Sequence, residues 1–120
     1  MNKFIPWAEP KLFNLEKKLI IKAIKSNWIS GGLYIDRFEK TLSKFLKIKF
    51  GFLTSNGTSA LHLAFLACNL KYGDEIIVPG FGYLAAANIG NLMGLKVKFA
   101  DVDKDTFCMN VDTLKKQITR

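Results

Sequence analysis

Apolar residues recur at helical spacing in two segments near the start of the chain, 14–27 and 34–46. This spacing predicts two amphipathic helices, and Asn14 is placed to cap the first of them. Residues 1–13 hold two of the three prolines in the chain and are predicted to form an extended arm. We therefore expect an arm over 1–13 and an incomplete domain over 14–120.

After residue 47 the pattern changes to short apolar runs alternating with segments of helical period. We predict strands at 50–54, 76–78 and 95–100, helices at 60–69 and 83–93, capped by Gly94, and a last helix from about Asn110 to the terminus. Such alternation predicts an α/β fold with parallel strands and right-handed crossovers. The helix at 60–69 is apolar nearly all round, so we expect it to be buried on more than one side.

The turn between the first predicted strand and its helix, Ser55–Ala60, is rich in hydroxyl groups and contains Gly57. Free amides at a helix start and the helix dipole favour anions, and Thr58 and Ser59 add hydroxyl donors. A simple helix cap explains the same residues and stays open. The motifs of a P-loop and of a dinucleotide fold are absent.

Composition and charge exclude several classes of protein. Hydrophobic residues make up 49% of the chain, which argues against disorder, and the net charge of +8 comes mainly from scattered lysines rather than a nucleic-acid-binding stripe. No apolar run is long enough to span a membrane, and we find no signal peptide. We therefore expect a cytoplasmic protein that binds neither nucleic acid nor membrane.

The candidate metal ligands are few. Cys68 and Cys108 are predicted to be buried free thiols, and His62 falls inside a predicted helix, where a structural role is favoured. No spacing of Cys and His indicates a metal site.

Three features fall at the carboxyl ends of predicted strands, where α/β sheets bind ligands: the Ser55 turn, the loop 79–83 and Asp101. Tyr83 could supply an aromatic surface beside a phosphate-binding turn, an arrangement that suits pyridoxal 5′-phosphate. Gly31 and Gly32, after the first helix, either end that helix or form a loop facing a ligand.

Taken together, the motifs resemble the DegT/StrS-type family of sugar aminotransferases. The resemblance extends from about residue 5 to 120 and rests on an ordered set of blocks: 28–32, Phe38-Glu39, 55–64, 73–83, Ala87-Asn88 and 94–103. It implies part of the large domain of a fold-type I enzyme dependent on pyridoxal 5′-phosphate. Such enzymes are usually homodimers that move an amino group, typically from glutamate, to a keto group on a nucleotide-linked sugar.

The resemblance also implies roles for particular residues. Gly57, Thr58 and Ser59 would hold the cofactor phosphate, and Tyr83 would stack on the pyridine ring. Residues Gly31, Gly32 and Asn88 would lie near the sugar substrate. The loop Pro79–Gly82 departs from the more usual Pro-Ser-x-Thr and lacks its hydroxyl groups.

In the family, the lysine that forms the Schiff base and the aspartate that pairs with the ring nitrogen lie beyond the equivalent of Arg120. No lysine of this sequence matches that position, so we assign no catalytic residue and expect a fragment that is inactive alone. Two alternatives remain at this point. One is a binding or regulatory protein that keeps the scaffold without catalysis, and the other is a plain phosphate-binding module.

Overall fold

The computed structural model describes residues 4–28 and 30–119. Five helices and two strands follow one another within this part of the chain: α1 Asn14–Lys25, α2 Leu33–Leu46, α3 Gly57–Ala67, β1 Glu75–Pro79, α4 Ala85–Leu92, β2 Lys96–Ala100 and α5 Val111–Lys115. These elements form two compact units that meet in sequence between Leu53 and Thr54. Ile29 in the glycine loop, the first three residues of the predicted arm and Arg120 lie outside the described residues.

The first unit contains α1 and α2, both predicted from their apolar spacing. Residues 4–13 form neither helix nor strand. The predicted cap of α1 is wrong by one residue, because Phe13 occupies the capping position and its backbone N–H donates to Glu16 Oε2 at 3.0 Å. The Glu16 carboxylate of the first turn thus bonds the amide of the capping residue, while no side chain at the capping position accepts from the first amides of α1.

Residues 50–54 do not form the predicted strand. Within the described residues their backbone pairs with no other strand, and the Leu53 N–H instead donates to Glu39 Oε1 of α2 at 2.8 Å. Gly51 also lies close to α2, since a Cβ there would stand 2.8 Å from Ser43 Oγ. The segment lies against α2 and, within the described residues, has no ladder of strand hydrogen bonds.

The second unit is built on a parallel pair of strands, as predicted, although the described residues contain two strands rather than three. The register runs from Glu75 opposite Lys96 to Pro79 opposite Ala100, and α4 makes the crossover between the strands. The five buried apolar residues of the described chain all belong to this unit: Val78, Ala87, Ile89, Leu95 and Ala100.

Helix α4 approaches the sheet closely at Gly90. A Cβ at this position would stand 2.5 Å from Ile76 Cδ1 and 2.9 Å from Val97 Cγ2. Helix α4 packs on both strands and on α3. Glycine is therefore needed at position 90 because the side chains of the two strands occupy the space in which another residue's Cβ would lie.

Helix α3 is less buried than its composition predicts. None of its residues is buried, and Leu66 is 56% exposed, so the expectation of burial on more than one side is wrong. Of the described elements, α4 makes the main contact with α3, which leaves the remaining apolar positions uncovered. Cys68 and Cys108 are free as expected but exposed rather than buried.

The last described residues are tied to the sheet by a small polar cluster. Lys98 Nζ donates to Glu75 Oε2 at 3.0 Å, to the Gln117 carbonyl at 3.3 Å and to Thr119 Oγ1 at 3.2 Å. Hydrogen bonds from Thr119 and then from Lys98 lower the pKa of Glu75. Helix α5 ends at Lys115 rather than continuing to the terminus, and the cluster holds the residues that follow it.

Candidate functional site

The turn that leads into α3 is an asparagine-capped helix start. Asn56 has extended backbone angles, φ −164° and ψ 170°, and its Oδ1 accepts a hydrogen bond from the Ser59 N–H at 2.9 Å. Its carbonyl accepts from the Ala60 N–H at 3.1 Å. The simple cap left open by the sequence is therefore present, and α3 begins at Gly57, three residues earlier than predicted.

The cap leaves two amides of the first turn available. Neither the Gly57 N–H nor the Thr58 N–H has a hydrogen-bond partner within residues 4–28 and 30–119. A Cβ built on Gly57 would meet no atom within 4 Å, so open space lies beside these donors. The amides and the positive end of an 11-residue helix fit a phosphate group in that space.

Hydroxyl groups surround the same turn. Ser55 Oγ lies 3.5 Å from Ser59 Oγ and accepts from Asn56 Nδ2 at 3.3 Å, while Thr54 Oγ1 donates to the Asn56 carbonyl at 2.9 Å. Because the Ser59 amide is committed to Asn56, Ser59 has only its hydroxyl to offer an anion. Asn56 was not among the residues assigned from sequence, although asparagine is one of the residues preferred at the capping position of a helix.

Tyr83 lies in the loop between β1 and α4, and the residue is 80% exposed. This loop starts where the two strands end together, since the Gly80 N–H donates to the Ala100 carbonyl at 2.7 Å. The rings of Phe81 and Phe107 lie 5.5 Å apart and connect the loop with the segment after β2. The predicted positions of this loop and of Asp101 at the carboxyl ends of strands are confirmed, whereas the Ser55 turn follows no strand among the described residues, so that part of the prediction is wrong.

Carboxylates after β2 are engaged with their own backbone. Asp101 Oδ1 accepts from the Val102 N–H at 2.8 Å. Asp103 Oδ1 accepts from the amides of Thr106 and Asp105 and from the Thr106 hydroxyl, which lowers the pKa of Asp103. These bonds shape the loop that carries Phe107. Among the described residues no cluster of three or more His, Cys, Asp or Glu could hold a metal ion.

The residues expected near the substrate fall in both units. Asn88 is exposed on α4, in the unit that holds the Gly57 turn and Tyr83. Gly31 and Gly32 belong to the first unit, with φ of 69° and 90°. Together with Trp28 and Tyr34 they line a cleft of about 380 Å³.

The glycine pair begins a helix rather than ending one. Gly32 is the N-cap of α2, and its carbonyl accepts from the Ile35 and Asp36 amides. A Cβ at Gly32 would stand 2.5 Å from Trp28 Cδ1, so the indole leaves room only for glycine. The left-handed residue after α1 is Asn27, with φ 56°.

The parallel strand pair joined through α4 makes this unit part of an α/β protein, and the start of α3 presents two amides that have no partner among the described residues. A search against family models matches residues 10–120 to the DegT/DnrJ/EryC1/StrS aminotransferase family. The chain belongs to this family, and the resemblance found in the sequence is confirmed.

Curated relatives include GDP-perosamine synthases. The chain is 41% identical over 117 residues to the enzyme of Vibrio cholerae, which covers 97% of the chain and 32% of the relative. It is 38% identical over 118 residues to the enzyme of Escherichia coli O157:H7, covering 98% of the chain and 32% of the relative. The chain thus spans about a third of the length of these relatives.

Solved structures of similar fold contain the expected cofactor. A putative sugar aminotransferase from Streptococcus pneumoniae in its PLP form matches with TM-score 0.86 and 29% identity, covering 96% of this chain and 29% of that one. An E. coli GDP-4-keto-6-deoxy-D-mannose-3-dehydratase with bound hydrated PLP matches with TM-score 0.85 and 31% identity, covering 95% and 31%. The α/β fold of this PLP-dependent family is confirmed, and so is pyridoxal 5′-phosphate as its cofactor.

Proposed function

We propose that the first turn of α3 holds the phosphate of pyridoxal 5′-phosphate. The observation that carries this proposal is the pair of amides on Gly57 and Thr58 that have no partner among the described residues and border open space. The Thr58 and Ser59 hydroxyls would complete the set of donors. The bound cofactor would supply an electron sink, while the residues of this chain hold and orient it.

Other residues would orient the ring and the substrate. Tyr83, exposed in the loop after β1, would stack on the pyridine ring, and Asn88 on the following helix would face the sugar. Gly31 and Gly32, which line a cleft together with Trp28 and Tyr34, would lie near the substrate. These roles follow the family resemblance and the exposure of each residue.

The reaction we propose is transfer of an amino group, from glutamate as donor, to a keto group of a nucleotide-linked sugar. Identities of 41% and 38% to two GDP-perosamine synthases support a GDP-linked sugar and a place in amino-sugar and polysaccharide synthesis. We further propose a cytoplasmic enzyme that acts as a homodimer. In residues 4–28 and 30–119, no helix is both long and apolar enough to cross a membrane.

We propose that the 120 residues contribute cofactor and substrate contacts but do not complete the transfer by themselves. The chemistry needs an amine that carries the cofactor and moves a proton, and no lysine of this sequence matches the family position of that amine. The activity therefore requires residues that this sequence does not contain.

Replacing Gly57 by proline tests the phosphate site, because proline removes one amide donor without requiring a new backbone. Gly57 is the first residue of α3, where proline is well tolerated, and Asn56 already has the extended conformation preferred before proline. We expect Gly57→Pro to weaken binding of pyridoxine 5′-phosphate about tenfold, the loss typical of one hydrogen bond to a charged group. Titration calorimetry measures this, and the ligand has no aldehyde to react with surface lysines.

The matched control is Val111→Pro, at the first position of α5. That helix is also capped by an asparagine, since Asn110 Oδ1 accepts from the Thr113 N–H at 2.9 Å. We expect Val111→Pro to leave binding unchanged. Equal affinity of the native chain and Gly57→Pro, or equal affinity for pyridoxine without its phosphate, would count against the proposed site.

A further inference from the structure

The pair Phe38-Glu39 belongs to the sequence pattern of the family, and its glutamate has a specific partner in this structure. Glu39 lies in the middle of α2, and its Oε1 accepts the hydrogen bond from the Leu53 N–H at 2.8 Å. Among the described residues no other acceptor is bonded to that amide. A carboxylate on a backbone amide is a charge-assisted bond, roughly twice as strong as a neutral one.

A second contact holds the same segment on the same helix. At Gly51 the backbone lies so close to α2 that an added Cβ would stand 2.8 Å from Ser43 Oγ and 3.6 Å from the Glu39 carbonyl oxygen. Residues 49–52 and α2 enclose a cleft of about 400 Å³ between them. The segment is therefore bonded to α2 at Leu53 and lies close to that helix at Gly51, and no described strand pairs with it.

Leu53 stands three residues before Asn56, the cap of α3. An extended segment without strand partners has many accessible conformations unless side chains fix it. The bond from Glu39 fixes the backbone just ahead of the turn, and chain continuity limits the conformations open to Thr54 and Ser55. A turn that is ordered before its ligand arrives loses less entropy on binding.

We propose that Glu39 is a positioning residue for the phosphate-binding turn, acting through the Leu53 amide. This inference rests on the function proposed above, because the turn is useful only if it binds a phosphate. It gives the glutamate of the Phe38-Glu39 pair a role distinct from that of its neighbour. Phe38 lines an apolar groove between α1 and α2, whereas Glu39 lines the cleft beside residues 49–52.

The test uses three variants of the full 120-residue chain. Glu39→Ala removes the acceptor, Glu39→Asp keeps the charge but shortens its reach, and Glu39→Gln keeps an oxygen in the same place. The matched control is Asp36→Ala, one turn earlier on α2, whose carboxylate lines the same cleft and has no hydrogen-bond partner among the described residues. If Glu39→Ala fails to fold, Glu39→Asp answers the same question.

Two measurements are made on each variant. Amide NMR of the ligand-free chain reports hydrogen exchange at Leu53 and the signals of Gly57 and Thr58, and calorimetry reports the affinity for pyridoxine 5′-phosphate. We expect Glu39→Ala and Glu39→Asp to speed exchange at Leu53, to shift the Gly57 and Thr58 signals, and to weaken binding about threefold or more. Glu39→Gln, which keeps a neutral acceptor, should give smaller effects than Glu39→Ala because it forms the weaker, uncharged bond, and Asp36→Ala should behave as the native chain.

The outcomes separate this inference from the proposed function. Unmoved Gly57 and Thr58 signals in a variant that has lost protection at Leu53 would overturn the positioning role, whatever the affinity. Unchanged protection at Leu53 in both Glu39→Ala and Glu39→Asp would overturn it as well. Signals that move while the native chain shows no affinity for the phosphate would support positioning and refute the proposed function.

Discussion

Asn56 divides the amides at the start of α3 into those used by the protein and those left for a ligand. Its side chain accepts from Ser59, while Gly57 and Thr58 have no partner among the described residues. The same residue therefore stabilises the helix and limits the proposed anion site to two amides and the nearby hydroxyls. At the scale of single residues, the amides that the Asn56 side chain does not bond are the ones left for a ligand.

A single methyl group at position 90 tests how closely α4 packs on the sheet. Alanine favours a helix over glycine by about 1 kcal/mol, but its Cβ would stand 2.9 Å from Val97 Cγ2, on a stiff branched side chain. We expect the crowding, about 1 to 3 kcal/mol, to outweigh the gain, so that Gly90→Ala lowers the free energy of unfolding. Urea denaturation followed by circular dichroism measures the change.

A shorter side chain at position 76 provides the control for this variant. Ile76→Val removes the Cδ1 atom that a Cβ at position 90 would meet at 2.5 Å. In the Gly90→Ala background it should recover part of the lost stability, a coupling that a double-mutant cycle detects. A Gly90→Ala chain more stable than the native one would contradict the observed packing.

At the scale of elements, the spacing of apolar residues predicts those helices and strands that interactions between neighbouring residues determine. The order of helices and strands from β1 to β2, their parallel pairing and both early helices follow from apolar spacing and glycine positions. Residues 50–54 have the composition of a strand, yet a strand exists only where a partner pairs with it. Their partner is Glu39, 14 residues before Leu53, and no periodicity reveals such a bond.

The candidate site divides in the same way between what the sequence predicts and what it does not. Residue types predicted the hydroxyl-rich turn before α3 and the aromatic loop after β1. The sequence could not predict that the Ser59 amide is bonded within the protein, because that bond depends on the orientation of the Asn56 side chain. The sequence left open whether Gly31 and Gly32 end α1 or form a loop facing a ligand, and only the structure shows the Trp28 ring that requires glycine at position 32.

At the scale of the whole molecule, the chain spans about a third of the length of the relatives reported above. It forms two compact units. We expect the 120-residue polypeptide to form no amino sugar when incubated with pyridoxal 5′-phosphate, glutamate and a GDP-linked keto-sugar, because it lacks a matching lysine. Mass spectrometry of the nucleotide sugar checks this. Product formed at a rate above that of free cofactor would contradict the expectation.

Gly57 and Thr58 are proposed to bind a phosphate through their backbone amides. The most direct measurement is an amide NMR titration of the chain with pyridoxine 5′-phosphate, with unphosphorylated pyridoxine in parallel. We predict that the Gly57 and Thr58 signals move with the phosphorylated ligand alone, while Val111 and Asp112, at the other asparagine-capped helix start, stay in place. Gly57 and Thr58 signals that remain fixed throughout, or that move equally with both ligands, would contradict the claim.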